Sequence, residues 1–120
     1  MFVKNLKDCP EFISADGAVL RELANPRTQN FQFNYSLAQA IVKPGAKTKL
    51  HQLKTSEVYY ILEGKGRMHL NDEVAEVSQG CMINIPPLAK QYIENTGDRD
   101  LVFLCIVEPA WRADDEKILE

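Results

Sequence analysis

The sequence predicts an all-β fold, an antiparallel sandwich or barrel of short strands, and three observations predict it. Apolar and polar residues alternate with the period of two that belongs to strands. Turn formers interrupt the chain at regular intervals, at Asp16-Gly17, Asn25-Pro26, Pro44-Gly45, Asn71-Asp72-Glu73, Pro86-Pro87 and Asn95-Thr96-Gly97-Asp98. Helical spacing is missing everywhere except in the closing segment WRADDEKILE, which could form a short C-terminal helix or tail.

Taken in order, residues 1–29 hold the brief apolar pairs Phe2-Val3, Phe12-Ile13 and Val19-Leu20, which suit two short strands between tight turns. From Phe31, the run FQFNYSLAQAIV sets Phe31, Phe33, Tyr35, Leu37 and Ile41 against Gln32, Asn34, Ser36 and Ala38, a strand with unlike faces that Pro44-Gly45 ends. A strand through Lys49 to Leu53 and the β-rich run Glu57–Leu62 follow, then Arg67–Leu70 and Val74–Val77. Cys81–Ile85 stops at two prolines, which cannot donate to a ladder, and Lys90–Glu94 and the apolar Leu101–Val107 complete the set.

A chain of 120 residues makes one domain, 1–120, with no repeat or linker to divide it. Its net charge of −3 and dispersed basic residues oppose nucleic acid as a partner. No apolar run reaches the roughly 20 residues of a membrane span, and the start MFVKNLKDCPEFIS lacks the features of a signal peptide, so a cytoplasmic protein is expected. Cys9, Cys81 and Cys105 form no C-x-x-C pair. They read as buried free thiols, with the alternative that Cys81 or Cys105 lies near a barrel interior.

Two blocks of fixed spacing stand out: Gly45-x5-His51-x-Leu53-x3-Glu57-x6-Gly64 and Gly80-x5-Pro86-x8-Asn95. Residues two apart on a strand face the same side, so His51 and Leu53 point to one place, and Glu57 opens the neighbouring strand where its carboxylate can reach that place. Gly45, Gly64 and Gly80 read as strand-end corners, and Asn95 as the shaper of its own turn.

These blocks, with the phrases Lys43-Pro44-Gly45, Tyr60–Gly64 and Ile85-Pro86-Pro87, resemble the two motifs of the cupin superfamily over about residues 36–107. The resemblance implies an antiparallel double-stranded β-helix, a jelly-roll barrel that is usually dimeric and carries its ligand site in the open mouth. Leu53 and Gln91 stand where family histidines are usual, and Leu88 where a glycine is usual. The family's metal ligands carry over to His51 and Glu57, with Gln91 offering a neutral carbonyl oxygen in place of a histidine nitrogen. Glutamine has a precedent in the metal shells of related sugar-phosphate isomerases. Such a set implies zinc, manganese, nickel or iron, with no organic cofactor, and lacks the two-histidine triad of non-haem iron oxygenases.

Two functions follow. In one, a divalent metal held by His51, Glu57 and Gln91 serves an enzyme acting on a small sugar-like or keto/enol acid, with Glu57 or Tyr59 moving a proton. In the other, a non-catalytic, metal-free barrel binds a small molecule, and His51, Glu57 and Gln91 form a satisfied polar network. Tyr59 shares strand parity with Glu57, and Tyr92 adjoins Gln91, so either hydroxyl could reach a ligand, core packing being the alternative. His69 is expected on the surface or at an interface. Phe31, Phe33, Tyr35 and Trp111 suit the cover of a sheet edge, and a homodimer is expected to bury the N-terminal strands or the 101–107 strand.

Overall fold

The structure, a computed structural model, describes residues 1–120. It contains eleven strands: β1 Phe12–Ile13, β2 Val19–Ala24, β3 Ser36–Val42, β4 His51–Leu53, β5 Ser56–Glu63, β6 Lys65–Leu70, β7 Glu73–Ser78, β8 Met82–Ile85, β9 Gln91–Asn95, β10 Leu101–Glu108 and β11 Glu116–Ile118. They form two antiparallel sheets, ordered β1-β2-β3-β10-β5-β8 and β11-β4-β9-β6-β7. The core lies between the sheets, where Ile61, Ile85, Ile93, Leu101 and Phe103 are all but excluded from solvent. This is the jelly-roll barrel expected of the motifs. No helix is long and apolar enough to cross a membrane.

The fixed residues of both motif blocks do structural work. Gly64 adopts φ +86°, and a Cβ there would lie 2.6 Å from the Asp100 carbonyl oxygen, so only glycine fits the corner where β5 passes into β6. Asn95 donates to the carbonyls of Val42 and Arg99 and accepts from the Gly97 amide, and so ties the turn after β9 to β3. Leu88, at the usual glycine position, takes φ +69° and keeps its side chain exposed.

Two segments depart from the sequence reading. The strand expected from Phe31 begins only at Ser36, and Phe31, Phe33 and Tyr35 form an aromatic stack with ring centroids 4.7 and 4.3 Å apart. Its inward face is also the opposite one: Ser36, Ala38, Ala40 and Val42 are buried, while Leu37 and Ile41 are only half-buried. Small side chains point inward because this stretch borders a cavity. The tail is likewise not a helix. Arg112 Nε donates to Asp115 Oδ2 at 3.0 Å to close a single 3-10 turn, after which β11 adds to the free edge of β4. An unpaired edge offers a ladder to any extended segment that can reach it, and this outweighs the weak helical preference of so short a tail.

Candidate functional site

The open end of the barrel holds a cavity of about 340 Å³. One wall is β3, β5 and β10, which contribute Ser36, Ala38, Glu57, Tyr59, Phe103 and Cys105; the other is β4 with β11, which bring His51, Leu53 and Glu116. The turn between β1 and β2 adds Asp16 at the mouth.

His51 is placed by two ladders at once. It pairs with Gln91 across β9 and with Ile118 across β11. Its Nδ1 lies 2.6 Å from the Lys49 carbonyl oxygen, an acceptor only, so Nδ1 carries a hydrogen and Nε2 is the ring nitrogen turned into the cavity. Asp16 Oδ2 faces that nitrogen at 3.4 Å. The other carboxylate oxygen of Asp16 is already engaged by the Ser14 hydroxyl and the Ala18 amide, which fixes the side chain in its turn. A nitrogen lone pair and a carboxylate oxygen repel unless a proton or a cation stands between them.

Glu116 sits opposite Leu53 in the β4–β11 ladder and so is a diagonal neighbour of His51 on the cavity face. Donor atoms of Asp16, His51 and Glu116 all lie within 4.8 Å of one another, a spacing that allows a single ion to be shared. Burial raises the Glu116 carboxyl above its ordinary range, and Asp16 adds to that, while His51 opposes it. Crowded carboxyls of this kind are stabilised by a cation.

Beneath this trio runs a second polar set. Gln91 is fully buried; its Oε1 accepts from the Tyr59 hydroxyl at 3.1 Å, and its Nε2 donates to Glu57 Oε1 at 2.9 Å. Burial pushes the Glu57 carboxyl up to about 8, against the lowering effect of the Gln91 hydrogen bond and with smaller contributions from Asp16 and Glu116. Glu57 is therefore a neutral acid at pH 7, and because Oε1 accepts from Gln91, its proton belongs on the other oxygen. Tyr59 is likewise raised, by burial first and then by Glu57, and stays a hydroxyl.

The residues singled out in the sequence thus meet at one end of the barrel: His51, Glu57 and Tyr59 on the cavity wall, and Gln91 linking the last two. Leu53 projects into the cavity beside His51, as its parity required, and Cys105 joins the wall, whereas Cys9 is buried elsewhere. Tyr92 is not brought in. It alternates out of the barrel, stacks on His69 at 4.0 Å, and leaves that histidine to bond Glu94 at 2.5 Å. Trp111 lines the cavity instead of covering an outer edge. Asp16 and Glu116 were missed. Asp16 was readable only as a turn former before Gly17, and Glu116 lay in a tail that suggested a helix.

A model of the cupin domain family matches residues 38–107. An uncharacterised protein of Methanocaldococcus jannaschii is 46% identical over 110 residues, which span 91% of this chain and 87% of that one. An oxalate-binding protein of Thermotoga maritima is 31% identical over 112 residues, 89% of this chain and 93% of its own. Among solved structures, the oxalate decarboxylase of Bacillus subtilis, an enzyme with Mn(II) centres, is 28% identical and superposes with a TM-score of 0.81; the match covers 95% of this chain but only 31% of that longer protein. On the strength of its two motif blocks, its two-sheet barrel and these matches, the chain belongs to the cupin domain family.

Proposed function

We propose that this protein is a metal-dependent cupin in which Asp16, His51 and Glu116 hold a divalent cation at the mouth of a small-molecule cavity. The observation that carries the proposal is the convergence of His51 Nε2, turned into the cavity by the Nδ1 bond to the Lys49 carbonyl, with Asp16 Oδ2 at 3.4 Å and Glu116 within the same cluster. One nitrogen and two carboxylate oxygens suit manganese or zinc, and the backbone carbonyl behind the imidazole is the usual orienting partner of a metal-bound histidine. When bound, such an ion polarises an oxygen of the ligand. The chain's own residues then do the rest: Glu57 keeps a proton available at the cavity wall, Gln91 holds its carboxyl in one orientation, and the Tyr59 hydroxyl fixes Gln91 in turn. Whether the bound molecule turns over follows from what Glu57 meets there.

The set read from the sequence, His51 with Glu57 and Gln91, is the second arrangement, favoured by the place of Glu57 on the same wall. It requires Glu57 to ionise and Gln91 to surrender its hydrogen bonds to Glu57 and Tyr59. Elemental analysis of the purified protein, before and after chelation and reloading with manganese, zinc, nickel or iron, tests the proposal. Near-stoichiometric metal that is lost in His51→Ala and Glu116→Gln, but kept in Gln91→Leu, supports the first arrangement. Loss in Gln91→Leu with retention in Glu116→Gln supports the second. A folded protein that takes up no metal supports the metal-free binding barrel.

A homodimer belongs to the same proposal. Tyr60, Met82 and Ile106 are exposed on the outer face of the six-stranded sheet, at neighbouring positions of β5, β8 and β10. Apolar patches of this kind are usual contact surfaces between copies. Light scattering on the wild type and on Ile106→Lys checks it: a dimer that becomes a monomer supports the contact, and a wild-type monomer overturns it.

A further inference from the structure

The cavity carries a charge pattern that bears on its ligand. Four carboxyl side chains, Asp16, Glu22, Glu57 and Glu116, line it, with His51, and not one lysine or arginine does. Two of the four belong to the metal trio, so a divalent ion bound there is already neutralised by Asp16 and Glu116. Of the 22 lining residues, 15 are hydrophobic. A small dianion such as a two-carbon diacid would therefore bring two uncompensated negative charges into a cavity whose one basic side chain, His51, is taken up by the metal, the situation in which burial of charge is most costly.

We infer that the ligand is an oxygen-bearing molecule that is neutral or carries at most one negative charge, with an apolar body, and that this chain discriminates against oxalate. The inference rests on the metal reading above and goes beyond it by naming the ligand class. Shape agrees with charge. A volume of about 340 Å³ falls in the range of roughly 300–1,000 Å³ typical of pockets for organic ligands, and it exceeds by far what oxalate fills. Phe103 and Trp111 offer aromatic faces to an apolar body, and Leu53, two residues from His51, puts an alkyl wall where a second nitrogen ligand would make the site more polar. The inward alanines Ala38 and Ala40 keep that space open. A chain 31% identical to an oxalate-binding protein can thus share its barrel and differ in what the barrel holds.

The test uses the full-length protein loaded with manganese, whose retention is followed by electron paramagnetic resonance. Oxalate and 2-hydroxyacetophenone, a neutral α-hydroxyketone with an aromatic body, are titrated in turn by calorimetry and by the fluorescence of Trp111, the single tryptophan of the chain. The hydroxyketone is expected to bind at least about tenfold more tightly than oxalate and to change the Trp111 emission. Glu22→Lys, at a half-buried wall position that tolerates a long side chain, supplies the missing cation and is expected to narrow that preference by strengthening oxalate. Manganese bound with oxalate equal or tighter overturns the ligand class and leaves the metal reading standing. Manganese bound with neither molecule recognised also overturns the ligand class. Failure to bind manganese or any other divalent ion overturns both.

Discussion

Along β5, inward positions run Glu57, Tyr59, Ile61, and along β9 they run Gln91, Ile93 and then Asn95, whose polar groups are tied up in its own turn; in each strand the position next to the cavity is polar and the one two residues on from it toward the core is apolar. Only about 7 Å, two residues of rise, separates the two environments. At the closed end, Ile61, Met68, Ile93 and Leu101 pack as a continuous core with at most 3% exposure. At the open end, β3 narrows to Ser36 and Ala38, and the space released becomes a largely apolar cavity lined also by four carboxyls. The backbone ladders are the same at both ends, since pairing depends on main-chain groups and not on what projects from them. Fold and site are therefore carried by different side chains of the same strands.

The comparison breaks first if the two ends respond alike to truncation. Ile61→Ala, deep in the closed end, is expected to cost about 4 kcal/mol by urea unfolding, while Leu53→Ala, on the wall of an existing cavity, costs about half as much. Equal losses would mean that the open end is packed as tightly as the core.

The polar end should also reveal itself by pH. In the folded chain Glu57 titrates at about 8 instead of 4.5, so between these values the native state holds a proton that the unfolded state has lost. Stability from this group is complete below the lower value and declines as pH rises to the upper one, by on the order of a few kcal/mol. In the chelated protein, Glu57→Gln is expected to flatten this slope and to be the more stable form at pH 8. Unfolding curves at pH 5 and 8 check it, and an unchanged slope would place the titration elsewhere.

Metal sharpens the contrast in the opposite sense. Manganese at a hundredfold excess over its dissociation constant should stabilise the wild type by about 2.7 kcal/mol, an increment lost in Glu116→Gln and in Asp16→Asn but kept in Ile61→Ala. Thermal unfolding with and without the ion reads it. The smallest effect concerns neither end: Leu88→Gly, at φ +69° and exposed, should stabilise by about 0.5–1 kcal/mol, a rise of a few degrees in melting temperature, because leucine is strained in the left-handed region and glycine is not.

Much of the frame was legible in the residues. Period-two alternation and turn chemistry are local signals, and they located the ends of β4 to β10 to within a residue or two. The stretch before β3 was misread because Phe31, Phe33 and Tyr35 alternate like a strand but satisfy one another by stacking. Of the site, His51, Glu57, Tyr59 and Gln91 were legible through motif spacing and strand parity.

The sequence by itself determined a barrel of short antiparallel strands, its glycine and asparagine corners, and a histidine and glutamate facing one interior. Only the tertiary structure decided which carboxylates stand nearest that histidine. Asp16 arrives from a turn near one terminus and Glu116 from a strand near the other, and neither position is tied to His51 by any local period. They meet because β11 adds to the edge of β4 and because the Lys49 amide donates to the Asp16 carbonyl. Those backbone pairings are set by which edges remain open once the barrel has closed, and that depends on the whole chain.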